Sequence, residues 1–330
     1  MDVFFYEAFA EEAKALKELL GNAIAYDLSS QTIQESGHST PPARIISIRT
    51  QSVVPESWAD NIEGILSRST GYDHLASYLT AIKKPLPCGY LEEYATRAVA
   101  EQAIMLMMAL LRKLPQQTGR FSSFNRDGLT GRECAGKNLL IVGVGRIGGE
   151  IASIARGLGV NIKGVDPVVR HPRIDYVDQR EGIRWADVVI CAMNLTPENT
   201  GYFSYDLLRH GKKGILLINI ARGEHTPAAD LLRLLREERL GGLGLDVYEN
   251  EPAVAFDLRN HTSSQSREAE IIREMMNYPN VIFTPHNAFN TLEALRRKAQ
   301  FTVQQVIYFL ENHDFKVKLV PEKSSDIHRH

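Results

Sequence analysis

The sequence predicts an α/β chain in two lobes, each with a parallel sheet covered by helices. Three observations predict it. First, 330 residues, 44% of them hydrophobic, suffice for two cores of ordinary size. Second, short apolar runs alternate with amphipathic stretches of helical period along nearly the whole chain, as in consecutive strand–helix–strand units. Third, Leu139 to Asp166, LLIVGVGRIGGEIASIARGLGVNIKGVD, holds one such unit complete.

The elements follow in order. Asp2 to Glu7 reads as a strand, Ala8 to Leu20 as a helix closed by Gly21, and Ala23 to Tyr26 as a second strand. Arg44 to Arg49 and Ile62 to Arg68 give two more strands, the last running into Ser69-Thr70-Gly71. Pro85 and Pro87 then break the pattern. A long helix rich in Ala, Leu and Met, from about Ala95 to Leu114, leads out of this lobe, and its methionines read as core filling. After Asp166 come strands at Asp187–Met193, Gly214–Ile220, Leu243–Val247 and Val281–Thr284. With the two strands of the glycine-rich unit they make six, the number of a doubly wound dinucleotide fold. Thr226 with Pro227 reads as the start of a helix that reaches about Leu240. Residues 253–280 form a longer excursion, and Leu292 to Asn312 is again helical and returns to the first lobe. The expected division is therefore 1–100 with 290–330 for one lobe and 101–289 for the other.

Composition excludes several classes. Formal net charge is −2, and no dense basic patch asks for nucleic acid or an anionic membrane. The N-terminus lacks the basic region of a signal peptide, and no apolar run is long enough to span a bilayer. Three scattered cysteines, Cys88, Cys134 and Cys191, lack metal spacing and suit a reduced, cytoplasmic protein. No metal site is expected.

The glycine-rich unit carries the first chemistry. Gly143, Gly145 and Gly148 stand as G-x-G-x-x-G between an apolar strand and a helix. Gly143 permits the tight turn, Gly145 lets backbone approach a diphosphate, and Gly148 lets the helix pack close to the sheet. The free N–H groups at the helix start then hold the phosphates. Asp166, at the end of the next strand, is placed to accept from a ribose diol, which favours NAD over NADP; Arg170 close behind weakens that preference.

Ligands of open α/β sheets sit beyond the carboxyl ends of strands. Three polar signals fall there: Arg222 after GILLINIA, Glu251 after LGLDVY, and His286 after VIFTP. Singly, each has a bland reading as a loop arginine, a Glu-Pro turn and a structural histidine. Together they suit one reaction. Arg222 can fork onto a substrate carboxylate. His286 can exchange a proton with a carbonyl oxygen. Glu251 can hold the imidazole in one tautomer and favour its charged form.

The chain resembles the D-isomer-specific 2-hydroxyacid dehydrogenase family along nearly its whole length. The blocks that carry the resemblance are GVGRIGGEIA…VD, NLTPENTGYF, INIARGEHTP, GLGLDVYENEP and FTPHNAF. The resemblance implies a Rossmann-like doubly wound nucleotide domain, a discontinuous flavodoxin-like substrate domain, a cleft between them and a homodimer. It implies Arg222, Glu251 and His286 as a catalytic triad. It adds Arg146 and Ile147 at the diphosphate, Asn194 and Thr196 lining the nucleotide site, and Asp246 near the nicotinamide carboxamide. FTPHNAFNTLEALR is similar to the D-lactate dehydrogenase branch, with Phe289 as an apolar wall. RSTGYD would place the N–H groups of Thr70 and Gly71 on the substrate carboxylate, and YATRAVAEQA would place Tyr94 in the substrate pocket. Equally, Tyr94 can be a packed side chain, and Thr70-Gly71 a plain turn. Asn290 and Thr96-Arg97 depart from the branch pattern and leave the substrate side chain open. The expected activity is NAD-dependent interconversion of a small 2-oxo acid and its D-2-hydroxy acid, with pyruvate/D-lactate leading. Branched-chain acids, glyoxylate and hydroxypyruvate are the alternatives, and an NAD-sensing corepressor is the rival from another class.

Overall fold

The structure is a computed structural model and describes residues 1–260 and 266–319. The chain divides into two compact units: Met1–Ala95 joined by the segment from Thr291 onward, and Thr96–Asn290.

The first unit is built on a five-stranded parallel sheet. Its strands are β1 (Val3–Phe5), β2 (Tyr26–Leu28), β3 (Ile45–Ile48), β4 (Gly64–Ser67) and β5 (Cys88–Gly89), in the order β2-β1-β3-β4-β5. β1, β3 and β4 are buried on both faces, which is why they read as continuous apolar runs without alternation. β2 begins later than the sequence suggests, because Ala25 is occupied by Asp2: its N–H donates to the Asp2 carboxylate and its carbonyl accepts the Asp2 N–H. β5 went unseen behind Pro85 and Pro87. It is two residues long, and its Gly89 is needed where the Phe315 ring lies 2.5 Å from the place a Cβ would take. The helices Ala10–Leu20 and Leu292–Asn312 belong to this unit, so the terminal segments of the chain are packed together.

The second unit has a seven-stranded parallel sheet. β6 (Asn138–Val142), β7 (Asn161–Val165), β8 (Asp175–Tyr176), β9 (Val188–Cys191), β10 (Ile215–Asn219), β11 (Leu240–Leu245) and β12 (Val281–Phe283) run in the order β12-β11-β10-β9-β6-β7-β8. Strand order reverses between β6 and β9, the topological switch point of a doubly wound sheet. The sequence count of six strands is corrected to seven; β8 is too short to show a period. The long helix spans Thr96–Leu111 and ends at a left-handed Lys113 (φ 53°), after which Leu114–Gly119 forms a separate turn of helix.

Two boundary expectations are also corrected. The helix expected from Thr226 begins at Ala228 and ends at Arg236, with Pro227 in the capping position. The Thr226 hydroxyl is instead bound to the Gly223 carbonyl and the Asn219 amide. Glu251 and Pro252 open a helix, Glu251–Asn260, where a missing proline N–H costs nothing. Cys191 lies wholly buried in β9, and burial pushes its thiol up to about 12, as befits a core residue.

Candidate active site

The glycine-rich turn sits at the switch point. Gly143 has φ 89°, and a Cβ there would meet the Met193 backbone at 2.5 Å; a Cβ on Gly148 would stand 2.1 Å from the Gly143 carbonyl oxygen. Gly145 precedes the helix Arg146–Arg156, which has no side-chain cap, and nothing lies within 4 Å of the space beside it. An uncapped helix start facing an open place is what a dinucleotide diphosphate needs, so the residues fit the cofactor. Arg146 is exposed and Ile147 half-buried at the same turn. Asp166 caps the turn from β7: its carboxylate accepts the Val144 and Val168 N–H groups at 2.8 Å each and lies 3.4 Å from Arg170. Asn194 and Thr196 are exposed after β9. Asn199 shapes their turn by donating to the Asn194 carbonyl and accepting the Thr196 N–H.

At the other side of the switch point, β10, β11 and β12 are neighbours, and their carboxyl ends carry Arg222, Asp246 to Glu251, and His286. His286 Nδ1 lies 2.7 Å from Glu251 Oε1. His286 has φ 49°, a left-handed conformation that few non-glycine residues adopt, so its neighbours must hold it. They do so from two sides. The Asp246 carboxylate accepts from the Thr284 hydroxyl and from the N–H groups of Asn287 and Ala288, both at 2.9 Å. The Tyr248 hydroxyl donates to the Thr284 carbonyl at 2.6 Å. Burial raises both groups, the Asp246 carboxyl and the Tyr248 phenol, above their ordinary ranges. Asp246, expected near the nicotinamide carboxamide, is fully buried and clamps the histidine turn through these contacts.

Arg222 follows β10 in extended conformation, and its guanidinium donates to the Ala221 carbonyl at 2.9 Å. Asn219, wholly buried, shapes this bend: its amide donates to the Arg222 carbonyl at 2.8 Å and accepts the Ala221 N–H. The next residue, Gly223, lies directly on the Tyr248–Glu249 backbone. That close approach joins the arginine bend to the segment leading into Glu251. Asn219, Gly223 and Tyr248 escaped sequence reasoning. Only the glycine beside a candidate arginine gave a signal, since an invisible backbone contact is the common reason for such a residue.

In the first unit, Thr70 is exposed and Gly71 half-buried, just past β4. Arg68, immediately before them, is entirely buried; it donates to Glu12 at 2.8 Å, to the Ser47 hydroxyl at 3.0 Å and to the Tyr6 carbonyl at 2.5 Å. Tyr94 is buried, and its backbone carbonyl accepts from Arg297 at 2.8 Å. Phe289 is buried in the second unit. Arg97, one of the departures from the branch pattern, is engaged by Glu101 and Glu150 of its own unit. Among the described residues no group of His, Cys, Asp and Glu could hold a metal ion.

A dinucleotide cradle and an imidazole–carboxylate pair at the carboxyl edge of one doubly wound sheet define a nicotinamide-dependent oxidoreductase. Comparison with known proteins gives the class more closely. Residues 104–288 match the model of the D-isomer specific 2-hydroxyacid dehydrogenase, NAD binding domain. The chain is 30% identical over 325 residues to 2-hydroxyacid dehydrogenase A of Aspergillus oryzae, covering 97% of this chain and 92% of that protein. It is 32% identical over 219 residues to the D-lactate dehydrogenase of Escherichia coli, covering 64% of this chain and 66% of that protein. The D-lactate dehydrogenase of Aquifex aeolicus, solved with NAD and lactic acid, shares the fold with a TM-score of 0.85 at 24% identity, over 97% of this chain and 100% of that one. The chain belongs to the D-isomer specific 2-hydroxyacid dehydrogenase family and is an NAD-dependent enzyme of that class.

Proposed function

We propose that this protein interconverts a small 2-oxo acid and its D-2-hydroxy acid, with pyruvate and D-lactate as the leading pair. The observation that carries the reading is the His286–Glu251 pair, held in a left-handed turn at the sheet edge that also carries Arg222. Arg222 grips the substrate carboxylate with its planar fork. Glu251 accepts the Nδ1–H of His286, which leaves Nε2–H for the substrate. Protonated His286 donates to the C2 oxygen during reduction and recovers the proton during oxidation. In the first unit, substrate binding is assigned to the Thr70 and Gly71 N–H groups and to Tyr94, and in the second Phe289 supplies an apolar wall. The dinucleotide, when bound, supplies the two-electron couple. Gly143, Gly145, Gly148, Arg146 and Ile147 would hold its diphosphate and Asp166 its ribose, Asn194 and Thr196 would line the nucleotide site, and Asp246 would lie near the nicotinamide carboxamide.

The test is spectrophotometric: purified protein with NADH and a panel of 2-oxo acids, then with NADPH. The expected result is rapid oxidation of NADH with at least one small 2-oxo acid and much slower oxidation of NADPH, because Asp166 repels a 2′-phosphate. No oxidation of NADH with any of them would sink the reading.

The protein is further proposed to be a homodimer. The core-filling reading of the long helix's methionines holds for Met107 alone; Met105, Met108 and Leu114 lie exposed along and just after that helix, and Phe121 and Phe124 are 76% and 74% exposed close behind. Such a concentration of apolar surface belongs to an interface. Sedimentation should give twice the chain mass, and the double variant Phe121→Ser, Phe124→Ser should shift it toward monomer. A wild-type monomer would refute this. A cytoplasmic location is supported by three cysteines that form no disulfide. No helix among the described residues is long and apolar enough to cross a membrane.

A further inference from the structure

We infer that His171 is a positioning residue for the dinucleotide. Seated in a notch made by Gly149, it latches the segment that begins at Asp166 to the turn that would hold the diphosphate, and so sets the affinity for the ADP-ribose part of the cofactor. The inference rests on the proposed seat of the diphosphate and goes beyond it.

The notch is a glycine that the dinucleotide fingerprint does not require. Gly143, Gly145 and Gly148 complete the G-x-G-x-x-G pattern, and Gly149 follows them inside the helix Arg146–Arg156. Glycine destabilises a helix interior relative to alanine, so its presence needs a cause. Close packing supplies it. A Cβ on Gly149 would stand 2.4 Å from Cε1 and 2.5 Å from Nε2 of His171. The imidazole thus occupies the place where any other residue would carry its side chain.

The role of the ring follows from its partner. His171 Nε2 lies 3.2 Å from the Gly145 carbonyl oxygen, which also accepts the Gly149 N–H at 2.9 Å. A carbonyl can only accept, so Nε2 carries the proton. In a planar trans peptide the next N–H, that of Arg146, points opposite to this carbonyl. Gly145 is the residue before the helix and Arg146 its first, so the two donors on the carbonyl fix the direction of an N–H at the helix start. Such N–H groups are what a helix start offers to a diphosphate.

The other end of the latch is the carboxylate assigned to the ribose. After Asp166, Pro167 to Arg170 are exposed, and the chain is half-buried again at His171. This segment is fixed at both ends. The Asp166 carboxylate accepts the Val144 and Val168 N–H groups at 2.8 Å each. At the far end the His171 N–H donates to the Tyr176 hydroxyl at 3.3 Å, and the His171 carbonyl accepts the Ile174 N–H at 3.0 Å. Arg156, in the last turn of the same helix, donates to the Arg173 carbonyl at 3.3 Å. The glycine-rich turn and the Asp166 segment are therefore tied twice, by Asp166 to Val144 and by His171 to Gly145. Groups already held in place need no ordering when the ligand arrives, which strengthens binding.

Calorimetric titration with ADP-ribose, which has the diphosphate and lacks the nicotinamide, tests this in the wild type, His171→Ala, His171→Gln and Gly149→Ala. Kd should rise about 3- to 10-fold in His171→Ala, as for one lost hydrogen bond. It should stay near the wild-type value in His171→Gln, whose amide can donate to the same carbonyl. Gly149→Ala keeps the histidine and favours the helix, yet its methyl group expels the ring. It should weaken binding as His171→Ala does, and the double variant should be no worse than either, because both remove one interaction. With a 2-oxo acid that turns over, the KM for NADH should rise in parallel while kcat does not fall. Wild-type binding in His171→Ala, or losses that add in the double variant, would overturn the latch alone. Wild-type protein that fails to bind ADP-ribose would overturn the seat of the diphosphate and the latch with it.

Discussion

Replacing His286 by Asn is expected to lower turnover by about 100- to 10,000-fold, the usual contribution of a general acid, with little change in thermal unfolding. Asn is the informative substitute. His286 has φ 49°, and Asn tolerates the left-handed region better than Ala does, so the variant removes the acid without forcing the turn to rearrange. The clamps remain in place, since Asp246 binds the N–H groups of Asn287 and Ala288 and Tyr248 binds the Thr284 carbonyl. A drop in kcat with an unaltered melting curve places His286 in the chemistry. Wild-type turnover in this variant would refute the role.

Gly223→Ala is the second substitution with a large expected effect, and it contains no polar chemistry at all. A Cβ at this position would stand 1.8 Å from the Tyr248 carbonyl carbon and 2.0 Å from its oxygen. Both are backbone atoms, so no side chain can turn aside. The two segments must separate, and they carry Arg222 on one side and Tyr248 through Glu251 on the other. Overpacking of this kind costs about 1–3 kcal/mol or more. For a chain of this size that corresponds to a melting point lower by roughly 2–12 °C. Activity should fall further than stability does, because the arginine bend and the histidine clamp lose their common support. Calorimetry with parallel kinetics checks this. Parental melting and parental kcat/KM together would show that the backbones can move apart freely.

The two substitutions mark what could be read in the sequence and what could not. The strands β3, β4, β6, β9 and β10 were legible because they are buried on both faces and appear as apolar runs. The dinucleotide turn was legible because each glycine answers a local demand. Arg222, Glu251 and His286 were visible as polar residues at strand ends, a matter of position along the chain. What holds them was not visible. Three groups of the histidine turn, distant in sequence, donate to the Asp246 carboxylate, a contact no motif announces. Tyr248 and Asn219 act through hydrogen bonds that leave no period or motif. β5 and β8 are two residues each, below the length at which alternation can show.

The buried grouping of Glu12, Arg68 and Lys298 also bears on how the protein is made. Lys298 belongs to the helix Leu292–Asn312, and Glu12 to the helix Ala10–Leu20, so the first unit is completed by residues synthesised after the whole second unit. Roughly 200 residues of the second unit emerge in between. At the usual speed of translation the N-terminal segment waits roughly 10–40 s for its partner helix. During that time the face of the helix Ala10–Leu20 around Glu12 and Arg68 has no partner helix to cover it. A chain shortened before Lys298 therefore lacks the helix that packs on Ala10–Leu20 and pairs with Glu12.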